Sequence, residues 1–355
     1  MAENKNDFRY AVGPSKVPWT AVGEYYNADD VKEFVKFLLP DKEGKPGYDE
    51  AFAKVSGDID SLARVASRAS KLTLGDHVVA AEAAARKAFN SKYALLTNCW
   101  TSGMEIGFKL SGVEPGDEVI MPAITFIATM SYPLSIGAKI VFVDVDPETM
   151  NMDPADLERK ITPKTKIIVP VHLGGYPCDM DPIMEIANRH GIYVMEDAAH
   201  GMGGMYKGRY LGAIGHFGGF SLHEVKNITS LGEGGILLTN EDFAGKQLPQ
   251  ARFLGLDGSR QIKDWLYDIV SLRDRFGNVK IAGNSSITEA QALGLELQMA
   301  RLDRIIAARR KAAEYTNSVL AEEDGILIER QDTPDTYGTH HLYLLRIDPQ
   351  KIGGD

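Results

Sequence analysis

Gly191-Ile192-Tyr193-Val194-Met195-Glu196-Asp197-Ala198-Ala199-His200 is a short apolar run that ends in two carboxylates and a histidine. Its first five residues, 191–195, have the character of a buried strand, which leaves Asp197 just past the strand's C-terminal tip. Downstream lies Gly219-Phe220-Ser221-Leu222-His223-Glu224-Val225-Lys226-Asn227, followed by Gly232-Glu233-Gly234-Gly235. A second strand ends there, and Lys226 comes just after it. A carboxylate at one strand tip and a lysine past another can hold pyridoxal 5'-phosphate (PLP). The lysine forms the Schiff base, and the carboxylate pairs with the pyridinium nitrogen.

The pattern around this stretch is regular. Tyr93-Ala94-Leu95-Leu96-Thr97, Glu118-Val119-Ile120-Met121, Ile140-Val141-Phe142-Val143-Asp144 and Ile167-Ile168-Val169-Pro170-Val171-His172 have the length and apolar content of strands. Helical stretches separate them: Gly103 to Leu110, Thr125 to Ser135, Pro154 to Ile161 and Met180 to His190. Two further strands are expected at about 216–221 and at 235–239. Short apolar strands alternating with helices predict an α/β fold with a mainly parallel sheet covered on both faces. Ligands in such sheets bind beyond the carboxyl ends of the strands, where Asp197 and Lys226 fall.

Upstream, residues 30–39 have helical periodicity with Asn27 as cap, and a second helix is expected from Asp76 to Phe89. Downstream, Leu295, Met299, Leu302, Ile306 and Ala313 recur at helical spacing, with arginines between them. They predict one long amphipathic helix bridging into a smaller domain, and His341 to Arg346 predicts a last strand. The expected organisation is an N-terminal segment (1–70), a large domain (71–295), and a bridging helix with the start of a small C-terminal domain (296–355).

A hydrophobic content of 44% with 25% charged residues belongs to a globular protein. The net charge of −10 argues against a nucleic-acid partner, although a small anionic ligand needs only a local pocket. Met1 to Asp7 is too polar for a signal peptide, and no apolar run reaches the length of a membrane span. Cys99 and Cys178 are the only cysteines, which excludes a disulfide framework and a four-ligand zinc site. The expectation is a cytoplasmic protein with neither a metal centre nor a membrane contact.

Each candidate residue has a plainer alternative. Asp197 either pairs with a cationic ring nitrogen or caps the helix expected from Ala198. Glu196 reads as structural. His200 either faces the ring or its phenolic oxygen, or is a satisfied polar histidine. Thr101 and Ser102, in Thr97-Asn98-Cys99-Trp100-Thr101-Ser102-Gly103, offer hydroxyls at a strand-to-helix turn suited to a phosphate, and Ser221 offers another. Serine and threonine at turns are also ordinary caps. Phe126 either stacks on a flat ring or belongs to the core. There is no dinucleotide fingerprint, Walker loop, zinc-protease motif or nucleophile elbow.

Taken in order, Pro115 to Ile120, Pro122 to Phe126, Val141 to Val145, Val169 to His172, Glu196 to His200, and Phe220-Ser221 through Lys226-Asn227 to Gly232–Gly235 resemble the DegT/DnrJ/EryC1/StrS sugar aminotransferases. These are fold-type-I PLP enzymes with a mainly parallel seven-stranded sheet, and the resemblance covers roughly residues 70–345. It implies that Lys226 is the Schiff-base lysine and proton shuttle, and that Asp197 is the pyridinium partner. By the same resemblance His200 lies near the ring oxygen and Phe126 is the stacking aromatic. Thr101, Ser102 and Ser221 match the phosphate cup. Asn284 matches an asparagine that reaches the neighbouring subunit's phosphate, which implies a homodimer with shared sites. The chain departs from the family where Ser-Gly-Thr becomes Cys99-Trp100-Thr101. It is also longer before Thr73, and at Asp355 it stops where the family continues, so part of the substrate pocket is expected beyond that residue.

The leading expectation is an aminotransferase that passes an amino group from L-glutamate to a nucleotide-linked keto sugar by a ping-pong cycle. A related dehydratase branch carries histidine in place of this lysine, and Lys226 argues against it. A ketocyclitol or another secondary-metabolite precursor is an alternative acceptor. A regulatory PLP-fold protein and a nicotinamide enzyme are the other classes considered.

Overall fold

The computed structural model describes residues 26–66, 72–263 and 266–353. The polar stretch Met1–Asp7 lies outside them. The chain separates into two compact units, residues 1–71 with 258–268, and residues 72–257 with 269–355. The second expected boundary, at residue 296, falls inside the latter unit.

In the first unit, α1 (Ala28–Leu38) and α2 (Tyr48–Ala63) are joined by a Lys32–Asp60 ion pair of 2.7 Å. Asn27 caps α1 as expected. Its side chain accepts from the Asp29 and Asp30 amides, and Asp30 accepts from the Asn27 amide in return.

The second unit is built on a seven-stranded sheet. Its strands are β1 (Tyr93–Thr97), β2 (Glu118–Pro122), β3 (Lys139–Val143), β4 (Thr165–Ile168), β5 (Tyr193–Asp197), β8 (Phe217–Ser221) and β9 (Gly235–Thr239). The short strands β6 (Met205–Tyr206) and β7 (Arg209–Tyr210) form a separate ribbon with Thr336–Tyr337. The order across the large sheet is β1-β9-β8-β5-β4-β2-β3. Only β9 runs against its neighbours; the other six strands are parallel.

Alternate strand residues feed two apolar layers, as the two-residue period of a strand requires. Leu96, Ile120, Val194 and Phe220 join one layer with α3 (Asp76–Ala88), α6 (Pro154–Lys160), α7 (Met180–His190), α10 (Glu289–Met299) and α11 (Leu302–Leu320). Leu95, Val119, Met195 and Phe217 join the other with α4 (Trp100–Ser111), α8 (Asp242–Gly245) and α9 (Leu248–Arg252); α5 (Ala128–Ser135) packs beside α4. Among the described residues no helix is long and apolar enough to cross a membrane.

Several expected elements differ from the observed ones: the strand expected over 167–172 is Thr165–Ile168, the helix expected from Thr125 starts at Ala128, and residues 198–200 form a turn rather than the start of a helix. α4 begins at Trp100 rather than Gly103, because the chain turns directly out of the extended Cys99. The long helix expected over 295–313 is two helices. At their junction the amides of Ala300 and Arg301 bond to Glu296 and Gln298, and the helix restarts at Leu302. The strand expected over 341–346 reduces to Arg346–Ile347 paired with Ile326–Leu327. The preceding backbone is used elsewhere: the Leu342 amide bonds to the Gly174 carbonyl, and the His341 carbonyl accepts from Arg309.

Glu196 is fully buried, and its hydrogen bonds support the frame. One oxygen accepts from the Ile214 and Gly215 amides, both at 2.6 Å. The other accepts from Gly212 at 2.8 Å and from His172 at 3.0 Å. The Cys178 amide donates to His172 Nδ1, so the ring proton sits on Nε2, facing Glu196. Glu196→Gln would turn an NH2 group toward these donors. It should lower unfolding free energy by about 3 kcal/mol, measurable as a reduced midpoint in urea with an unchanged slope.

Candidate active site

Because β1, β5 and β8 are parallel, their last residues, Thr97, Asp197 and Ser221, emerge on one edge of the sheet. After β8 the chain makes a closed excursion before returning as β9. The Leu222 amide bonds to the Gly234 carbonyl, Glu224 to Gly232, and Lys226 to His223. Gly232 has a φ of 107°, a conformation that favours glycine. This loop carries Lys226 back over the strand ends.

Asp197 is 5% exposed. Its Oδ1 accepts from the Trp100 indole N–H at 2.9 Å and from the Ala199 amide at 3.2 Å. Its Oδ2 accepts from the Thr129 hydroxyl at 2.8 Å. Thr129 has one hydroxyl hydrogen, so Thr125, 2.8 Å away, is the donor in the Thr125–Thr129 pair. All three donors to the carboxylate are neutral.

Lys226 is half-buried. Burial lowers its amine below the ordinary lysine range, and the nearby Asp197 charge partly offsets this. His200 Nδ1 accepts from the Gly174 amide at 3.3 Å, which leaves the proton on Nε2. Burial and then the Lys226 charge hold His200 down to about 4. The structure therefore brings Lys226, Asp197 and His200 together.

Thr101 and Ser102 lie in the first turn of α4, and Ser221 Oγ accepts from the His223 amide at 3.4 Å. Asn284 is exposed. Its neighbour Ser285 accepts from the Asn98 amide, so the 284–285 segment flanks the turn into α4. Phe126 lies beyond β2 at the same sheet edge, but it is 73% exposed and makes no ring contact with a described residue.

Sequence reading missed Thr129, Asn227 and His341, and it marked Trp100 only as a departure. His341 stacks on His200 with ring centres 4.5 Å apart. Its Nδ1 lies 3.0 Å from the Asn227 amide oxygen, and Asn227 Nδ2 faces the His200 carbonyl at 3.5 Å. Thr339 also donates to that carbonyl, at 2.6 Å. Burial first, then the charges of His200, Lys226 and Arg309, take His341 down to about 3. No local pattern marks His341, because it joins the site only through the return of a distant segment.

A mainly parallel sheet with a lysine and a buried carboxylate at its carboxyl edge defines the fold-type-I PLP-dependent enzymes. Residues 55–353 match the model of the DegT/DnrJ/EryC1/StrS aminotransferase family, and the chain belongs to it. It is 34% identical over 84% of its length to a Geobacillus stearothermophilus protein named "Pleiotropic regulatory protein", of which it spans 76%. It is 38% identical over 70% of its length to GDP-perosamine synthase of Caulobacter vibrioides, of which it spans 63%, less than two thirds. The X-ray structure of an aminotransferase from Psychrobacter cryohalolentis superposes with a TM-score of 0.71 at 29% identity, covering 78% of this chain and 71% of that one.

Both histidines are held below their unfolded value of about 6.5. Between that value and about 4 the unfolded chain binds more protons, so stability falls as pH falls. Each group contributes a slope of up to about 1.4 kcal/mol per pH unit. Thermal unfolding of the protein should move to lower temperature from pH 7 to pH 5, and His341→Asn should flatten that dependence.

Proposed function

We propose that the protein moves an amino group from an amino acid, L-glutamate, to a nucleotide-linked keto sugar in two half-reactions. The observation that carries this reading is the half-buried Lys226 amine lying within electrostatic reach of the buried, neutrally bonded Asp197 carboxylate.

The residues present fit PLP. Asp197 makes no ion pair with any described residue, and a buried carboxylate bonded only by neutral donors suits a cationic ring nitrogen. When bound, PLP supplies an electron-withdrawing ring that takes up the electron pair left as an amino acid loses its α-proton. Asp197 would hold the ring nitrogen, and Lys226 would join the cofactor covalently. Released by the donor, the Lys226 amine would carry the α-proton. Its lowered proton affinity keeps a larger fraction in the basic form this role needs. Neutral His200 would present its Nε2–H to the phenolic oxygen. Thr101, Ser102 and Ser221 would bind the phosphate, aided by the free amides at the start of α4.

Phe126, 73% exposed, would stack on the cofactor ring. Ile127, Leu231 and Ile281 are all more than half exposed. We assign them to the contact with a second copy of the chain, which would bring Asn284 to the partner's phosphate and complete a shared site. The nucleotide-linked sugar follows the name of the Caulobacter relative, GDP-perosamine synthase. Cys99 and Cys178 are free thiols, which suits a cytoplasmic location.

Borohydride treatment of PLP-loaded protein should leave the cofactor's mass on the peptide containing Lys226, and Lys226→Ala should abolish the label. L-glutamate should bleach the yellow absorbance, and a keto sugar should restore it; Lys226→Ala should slow both changes by about 10²–10⁴-fold. A label on Lys226 with no bleaching by any amino donor would instead favour a regulatory role, the one named for the Geobacillus relative.

A further inference from the structure

We propose that Trp100 is a positioning residue for the cofactor's ring nitrogen, acting through Asp197. This rests on the reading of Asp197 given above. The indole N–H meets Oδ1 at 2.9 Å, with Trp100 4% and Asp197 5% exposed, so water does not compete for the bond.

The surroundings are shaped to admit the indole. A Cβ at Gly103 would lie 2.9 Å from Trp100 Cε3. A Cβ at Gly219 would lie 2.7 Å from Trp100 Cη2 and would also fall on the Ile236 carbonyl. A side chain at either position would push the ring out of its slot and draw the N–H away from the carboxylate. Gly219 is in β8, which pairs directly with β5, so the slot opens beside the strand that carries Asp197.

Trp100 is the first residue of α4, and Thr101 and Ser102 follow it in the same turn. One turn of backbone thus carries both the hydroxyls assigned to the phosphate and the donor that aims the carboxylate at the far end of the ring. With Thr129 on Oδ2 and Trp100 and Ala199 on Oδ1, the carboxylate cannot rotate without breaking bonds. Its orientation is set before the cofactor arrives, and binding then loses less rotational freedom.

The test is a mutant cycle read by PLP binding. Trp100→Phe keeps a ring in the slot and removes the N–H. It should fold and raise the dissociation constant for PLP by about three- to tenfold. In an Asp197→Asn background the same change should alter binding by less than about twofold, because its route through the carboxylate is already cut. A W100F protein that folds and binds PLP like the parent overturns the proposal, as does an equal loss in both backgrounds. If D197N itself binds PLP like the parent, the reading of Asp197 falls and takes the proposal with it.

Should W100F not fold, indole-15N labelling of a Trp19→Phe/Trp265→Phe protein leaves Trp100 as the one indole signal. That resonance should move on adding PLP and on introducing D197N. A resonance that ignores both overturns the proposal.

Discussion

A carboxylate buried at the end of a central strand must be satisfied by donors, and the position of Asp197 organises the whole carboxyl edge of the sheet. Its three donors come from three places: the start of α4, α5 and the backbone just beyond β5. They converge because parallel strands deliver successive loops and helix starts to one side of the sheet. The same edge receives Lys226 on the loop between β8 and β9, and His200 just past β5. Fold and site are two consequences of one strand arrangement.

Neighbouring acids on β5 show how a strand divides its tasks. Glu196 and Asp197 are adjacent, and successive side chains of a strand point to opposite faces. Glu196 turns toward His172 and the 212–215 turn, where backbone amides absorb its charge. Asp197 turns toward Trp100 and Thr129, where only side-chain donors and one local amide reach it. The first acid ties loops to the sheet. The second keeps a negative charge near Lys226.

Much of this was legible in the chain itself. The strands ending at Thr97, Asp197 and Ser221 announce themselves as short apolar runs followed by polar residues, a local signal that survives without tertiary information. Lys226 was legible because a glycine-rich return follows it. The break between α10 and α11 was not, since the apolar spacing of Leu295, Met299, Leu302 and Ile306 continues across a junction that only the backbone reveals. The last strand failed for a related reason. His341 to Leu345 has strand composition, but the Leu342 amide and the His341 carbonyl are taken by Gly174 and Arg309.

Residue order alone determined the alternation of strands and helices and placed Asp197 and Lys226 just past strand ends, because hydrophobic period is a local property. Tertiary structure decided which groups stand around them. The indole of Trp100 reaches across to β5, and His341 returns from far along the chain to stack on His200. Both contacts depend on the packing of segments distant in sequence, which no spacing along the chain encodes.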